Sequence, residues 1–335
     1  MKISNFNTVD RVFIIAEIGN NHEGNYSLAE EMIGLAARAG ADAVKFQTIV
    51  PEKLVSVLHK DRVKQLNNFQ LSYNEFSQLE KVAKNEKVIF LSTPFDINSA
   101  IFLNELVPVY KISSGDNTFY PLIEVIAKTA KPIIMSTGLI EINGIRNTTN
   151  YINKIWKENR IKQELALLHC VSSYPTKPEN ANLSAIHELK DIVDVVGYSD
   201  HTLGIEAAIL SVALGARIIE KHFTIDNNYS DFHDHKLSAN PSNFKLMVEK
   251  IREAEILIGA GKKTLSLEGL DNKINIRRSI VAKNDIDIGH TLTIEDLDWV
   301  RPGGGISPGQ EKIIIGKKLK RNINKGTVIT NEELI

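Results

Sequence analysis

The stretch DVVGYSDHT (194–202) runs from an apolar, β-branched segment into Ser199, Asp200, His201 and Thr202, and RIIEKH (217–222) repeats the move, ending on Glu220, Lys221 and His222. Between them, Ile205 to Leu214 carries apolar residues at helical spacing. The two stretches therefore read as a strand, a covering helix and a second strand. Each strand delivers chemistry at its carboxyl end.

Working outward, the same unit recurs back to the start of the chain. Strands are predicted at 12–17, 42–46, 88–92, 109–112, 132–136, 165–169, 194–198 and 217–221. Helical patterns lie between them, among them Leu28 to Ala39, Glu75 to Lys84 and Leu122 to Lys128, and a last helix follows Pro241. The strands are too apolar to have a wet face, which points to a parallel sheet covered by helices. Eight strand-then-helix units in about 250 residues fit a closed (β/α)8 TIM barrel, an α/β fold whose active site lies at the carboxyl ends of the strands.

Beyond about residue 265 the pattern changes to short β-rich units. IDIGHTLTIEDL (286–297) is loosely echoed by INKGTVITNEEL (323–334). The polar segment around Lys262 to Lys273 marks the join, giving an expected barrel over 1–265, a linker over 266–278 and a small module over 279–335.

Composition narrows the function classes. The 335 residues are 43% hydrophobic, enough for a large core, and 40 Lys and Arg against 41 Asp and Glu give a net charge of −1. No global field favours nucleic acid or a membrane surface, so any anion site must be local. The start of the chain lacks the features of a secretory signal and no run is long enough to span a bilayer, which together predict a cytoplasmic protein. The one cysteine, Cys170, has no partner for an internal disulfide and reads as a core filler in an apolar run.

The strand ends supply the candidates. Glu17 closes an otherwise apolar first strand, where a carboxylate can orient hydroxyls or handle a proton. Lys45, among apolar neighbours, is costly to bury without an anion or carboxylate partner. Strand three delivers Thr93, strand four delivers Lys111, Ser114, Gly115 and Asp116, and strand five delivers Ser136, Thr137 and Gly138. Lysines, hydroxyls and a glycine that exposes backbone N–H groups are the parts of a phosphate or carboxylate cradle. Ser172 and Tyr174 follow strand six, where a tyrosine either contacts a sugar or packs on the rim. His201 and His222, at matching ends of neighbouring strands, could share a divalent metal through neutral imidazoles. The polar segment 230–236, with His233, Asp234 and His235, either joins that site or is a solvated loop tip.

Taken in order, IAEIGNNHEG (15–24), VKFQT (44–48), LSTPF (91–95), YKISSG (110–115), STG (136–138), YPT (174–176), GYSDHT (197–202) and EKHFT (220–224) resemble the sialic acid synthase family, and VRPG (300–303) resembles that family's antifreeze-like SAF (β-clip) domain. The resemblance implies condensation of phosphoenolpyruvate with an N-acetylmannosamine-type aldose, releasing phosphate and giving a nine-carbon 2-keto acid of the sialic, legionaminic or pseudaminic type. By matching positions it implies that Lys45, Thr93, Lys111, Ser114, Ser136 and Ser199 hold phosphoenolpyruvate and that His201 and His222 bind Mn²⁺ or Mg²⁺. It further implies that Glu17, Gln47, Tyr174 and Asp234 hold the sugar, with Arg301 reaching it from the tail of a partner subunit in a domain-swapped homodimer.

Three departures fall on the expected sugar side. Asp116 stands where the bacterial N-acetylneuraminate enzymes carry Glu, Ser172 stands where they carry Asn, and the segment after strand eight is one residue longer, so that Asp234 rather than Asp231 takes the family position. Two rival readings remain at this point. One is a Schiff-base aldolase using Lys45, Lys111 or Lys221. The other is a non-catalytic carbohydrate-binding protein.

Overall fold

The structure is a computed structural model that describes residues 1–259, 261–264 and 267–335. The chain divides into two compact units, Met1–Gly259 and Ala260–Ile335. The expected boundary between 265 and 266 lies outside the described residues. Most of the expected linker is a helix, Leu267–Ile276. Leucine and isoleucine at 267, 270 and 274 give it a helical period that its polar surroundings masked.

In the first unit all eight expected strands form: β1 (Phe13–Gly19), β2 (Ala43–Thr48), β3 (Ile89–Pro94), β4 (Tyr110–Ile112), β5 (Ile133–Ser136), β6 (Leu165–Cys170), β7 (Val195–Asp200) and β8 (Ile218–His222). Parallel ladders join them in the order β3-β2-β1-β8-β7-β6-β5-β4. Since β8 pairs with β1 and β3 packs beside β4, the sheet is a nearly closed barrel. The helices lie outside it. Tyr73–Asn85, for example, starts at a capping box in which Ser72 and Glu75 satisfy each other's backbone N–H, and Pro241–Ile258 is capped by Asn240. No helix among the described residues is long and apolar enough to cross a membrane.

The two-residue period of a strand sorts each run into two sets. Ile14, Ala16, Val44, Phe46, Tyr110, Met135, Leu167, Tyr198 and Ile219 belong to the larger core, shared with the helices. Phe13, Ile15, Ala43, Leu91, Val109, Ile134, Ala166, Leu168, Val195 and Ile218 form a separate core inside the barrel. An N-terminal hairpin, Lys2–Ile3 with Phe6–Asn7, adds Met1, Ile3 and Phe6 to that inner core and plugs its amino end. Gly197 belongs to the inner set by parity, and a Cβ there would lie 2.3 Å from the Ile218 carbonyl oxygen. Only a glycine lets β7 and β8 approach so closely.

The second unit pairs β9 (Ser279–Ala282) with β10 (Leu297–Val300) antiparallel. The sequence echo is structural. Ile286 and Ile323, the first residues of the two repeats, bridge each other. Thr293 with Asp296 and Thr330 with Glu333 build matching capping boxes on short 3-10 turns. Its core is aliphatic, including Ile280, Leu292, Leu297, Ile314, Leu319 and Ile329.

Candidate active site

Continuing the inward set of each strand by one or two steps toward its carboxyl end replaces hydrocarbon with Glu17, Lys45, Gln47, Thr93, Lys111, Ser136, Cys170, Ser199, Glu220 and His222. All of them line one cavity of about 440 Å³, within the roughly 300–1,000 Å³ of small-molecule sites. Register does the assembly: His222 lies beside Glu17, Glu17 beside Lys45, and Ser199 beside both Glu220 and Cys170.

The floor is a closed set of charges. Lys45 Nζ lies 2.7 Å from Glu17 Oε2 and 3.7 Å from Glu220 Oε2, and donates to Thr93 Oγ1 at 3.1 Å. Lys111 Nζ lies 3.7 Å from Glu220 Oε1 and donates to Ser136 Oγ at 2.7 Å. Ser199 Oγ donates to Glu220 Oε1 at 3.0 Å, Gln47 Nε2 donates to Glu17 Oε1 at 3.0 Å, and Asn20 supports Gln47. Each of the four charged groups is buried, a state that costs several kcal/mol per ion unless partners compensate. Burial works against every one of them, with different outcomes. Burial raises the Glu17 pKa and lowers that of Lys111, whereas the two lysines hold Glu220 below the usual carboxylate range, and Glu17 and Glu220 hold Lys45 above its ordinary value.

On the next level stand the two histidines, with ring centroids 5.3 Å apart. His201 Nδ1 contacts the Val171 carbonyl oxygen at 2.9 Å and Cys170 Sγ at 3.8 Å. His222 Nδ1 is buried without a hydrogen-bond partner, and Asp234 Oδ2 lies 3.9 Å from it. Burial and the neighbouring His201 and Lys45 push the His222 pKa well down. Among the described residues no group of three or more His, Cys, Asp or Glu is arranged to hold a metal. What the protein offers a cation is therefore this imidazole pair. The orphaned His222 nitrogen fits that role, and two protein ligands leave positions for substrate oxygens.

The remaining candidates separate. Ser114, Ser172, Tyr174 and Asp234 line the cavity. Ser172 Oγ is buried and unpartnered, and the Tyr174 ring lies 4.2 Å from that of His201 while staying 46% exposed. Asp116 does not line the cavity, contrary to expectation. The Ser113–Asp116 turn folds its carboxylate back onto Ser113 Oγ at 2.5 Å. The Gly138 N–H is not free for an anion either, since it donates to Ser114 Oγ at 3.1 Å. Lys221, one of the three lysines of the aldolase reading, faces away and is held by Asp200 Oδ2 at 2.9 Å and the Thr202 carbonyl at 2.6 Å. Arg301 belongs to the second unit, beside the cis peptide to Pro302.

Segment 230–236 is solvated only in part, with Asp231, His233 and Lys236 exposed. His233–Leu237 is a short helix that buries Asp234 and His235. Sequence reasoning missed Glu220, although counting by two from Ile218 places it inward. It also missed Leu66 and Phe69, which line the cavity from the helix Lys60–Phe69, and Phe232, which lines it from the segment before His233–Leu237; none of them carries a strand period.

The NeuB family matches residues 32–263 and the SAF domain matches residues 277–335. The N,N'-diacetyllegionaminic acid synthase of Legionella pneumophila is 38% identical, the match covering 96% of this chain and 94% of that protein. The pseudaminic acid synthase of Campylobacter jejuni is 36% identical over 99% of both chains. The solved structure of the N-acetylneuraminic acid (sialic acid) synthetase from Leptospira borgpetersenii, in complex with citrate, superposes with a TM-score of 0.76 at 34% identity, covering 81% of this chain and 94% of that one. These matches make this chain a member of the NeuB family with a C-terminal SAF domain.

Proposed function

We propose that this protein condenses phosphoenolpyruvate with an N-acyl amino aldose of the N-acetylmannosamine type, forming a C–C bond and releasing phosphate to give a nine-carbon 2-keto sugar acid. The observation that carries the reading is the cavity floor: two buried lysines, ringed by hydroxyls, at the carboxyl end of a barrel of this family.

Lys45 and Lys111, with Thr93, Ser136, Ser199 and Ser114, bind the phosphate and carboxylate of phosphoenolpyruvate and hold its C3 toward the aldose. Their pairing with Glu17 and Glu220 keeps the lysines compensated until the anion arrives. C3 attacks the aldehyde carbon C1, water adds at C2, and the tetrahedral centre expels phosphate by breaking the C2–O bond. Glu17, whose pKa burial raises, is the group placed to hold or pass the proton of that water. Gln47, Asp234, Ser172 and Tyr174 orient the aldose. A Mn²⁺ or Mg²⁺ held by His201 and His222 would supply Lewis-acid polarisation of the aldehyde oxygen. Arg301 reaches the sugar from the partner in a domain-swapped homodimer.

Phosphoenolpyruvate carrying ¹⁸O in the bridging C2–O–P position tests the bond that breaks. The label is expected in the released phosphate. Label retained in the organic product contradicts C–O cleavage.

A further inference from the structure

The β7–β8 ladder ends on the rung that pairs Asp200 with Lys221, and the two histidines are the first residues past it. His222 remains tied to β1 on its other side, opposite Glu17. His201 lies beyond the end of β7, and the β7–β8 rungs stop one residue short of it. A buried ionic network behind the cavity wall holds its backbone instead. Lys221 Nζ lies 2.9 Å from Asp200 Oδ2 and donates to the Thr202 carbonyl oxygen at 2.6 Å. The Thr202 N–H and hydroxyl each donate to Asp200 Oδ1 at 2.8 Å. The residues on either side of His201 are thus fastened to Lys221, the residue immediately before His222.

Asp200 and Lys221 are 0% and 1% exposed, on the outward face that carries the core residues Val196, Tyr198 and Ile219. Burying two charges there is costly, and a well-packed apolar pair would serve stability as well or better. What the ion pair adds is direction. Its hydrogen bonds hold donor and acceptor at a defined distance and angle, whereas apolar burial is non-directional. Resting on the metal role proposed for His201 and His222, we infer that Asp200, Thr202 and Lys221 are positioning residues, which set the spacing of the two imidazoles and so the affinity of the site for a divalent cation. The ring centroids stand 5.3 Å apart, and both rings must present a nitrogen to one ion. A slip of the end of β7 against β8 would part them with both side chains intact. Residues that orient metal ligands without touching the metal are worth about 10- to 100-fold in affinity, and that sets the size of the effect.

The test is Mn²⁺ binding to the full chain by calorimetry, without substrates, beside urea unfolding of each variant. Asp200→Asn combined with Lys221→Met removes both charges and leaves the Thr202 N–H and hydroxyl an acceptor. The folded double variant is expected to bind Mn²⁺ about 10- to 100-fold more weakly, a change that lower stability alone would not produce in protein that remains folded. Thr202→Val, which takes one donor from Asp200, is expected to weaken binding by less, and Thr202→Ser, which keeps that donor, to bind more tightly than Thr202→Val. Wild-type affinity in the folded double variant overturns the inference; if that variant fails to fold, wild-type affinity in Thr202→Val overturns it. A wild-type chain that binds no Mn²⁺, or binding that survives His222→Ala, overturns the metal reading instead, and the inference with it.

Discussion

The floor and the mouth of the cavity are built on different principles. The floor stands on strand ends, where a ladder register fixes each side chain against its neighbours and every charge is buried with a partner. The mouth stands on Lys60–Phe69, the Tyr174 turn and the His233–Leu237 helix, which hold it by aromatic contacts and by hydrogen bonds through Glu23. A rigid, charge-balanced floor suits the substrate common to a reaction class, and a mouth carried on connections can vary with the second substrate. This division is what perturbations should expose.

The largest effect is expected at the floor. Lys111→Met removes one charge of a buried set and leaves Glu220 with Lys45 alone. Removing one preorganised donor from a charge that develops in the reaction costs about 10²- to 10³-fold, so steady-state kinetics should show kcat/KM lower by about 10³-fold, whichever aldose is used. A loss below tenfold would break the assignment of the floor to the anion. Next is the level between floor and mouth. His222→Ala should cost about 10²-fold, on the scale of several kcal/mol of lost Lewis-acid stabilisation, and should abolish Mn²⁺ binding by calorimetry; metal binding retained in that variant contradicts the imidazole pair.

His22 tests the loop after the first barrel strand, where the next residue, Glu23, holds Ser230 and His235. It is buried beside Phe46, accepts from the Gly24 N–H at 3.1 Å, and burial pulls its pKa from 6.5 to about 4. The fold prefers the neutral ring, so its contribution is complete above pH 6.5 and is lost as pH falls through about 4, a change of about 3 kcal/mol. Urea unfolding at pH 7 and pH 4 should show that slope in the wild type and a flatter one in His22→Gln. The smallest effect is expected from the tail. Arg301→Ala should lower kcat/KM for the aldose by about 10- to 100-fold, as for one charge-assisted hydrogen bond. Mixed dimers of Arg301→Ala and His222→Ala chains should recover activity if the arginine acts across subunits; none in verified mixed dimers counts against the exchange.

The same contrast explains what the sequence made legible. All eight strands are readable because each is a short β-branched or apolar run, and strand parity, once applied, separates inward Lys45 and Glu220 from outward Lys221 and Asp200. Strand ends read as single letters, without parity, left Lys221 among the lysines of the aldolase reading and gave Glu220 no role. Asp116 misled for a different reason. It follows a strand end, but the turn at Ser113–Asp116 decides where its carboxylate goes, and no periodicity describes a turn. Leu66, Phe69 and Phe232 were invisible because their proximity joins segments more than 160 residues apart in sequence. The helix Leu267–Ile276 was masked by polar neighbours, whereas the echo in the tail surfaced as paired capping boxes at Thr293 and Thr330.

The central claim is that the lysine-floored cavity consumes phosphoenolpyruvate only in joining it to an amino aldose. Release of inorganic phosphate from phosphoenolpyruvate, followed with and without an N-acyl amino aldose in the presence of Mn²⁺, tests it most directly. Phosphate should appear only when the aldose is present, in a one-to-one ratio with a 2-keto acid three carbons longer than the sugar. Phosphate released at the same rate without the aldose, or a product lacking the three added carbons, would contradict it.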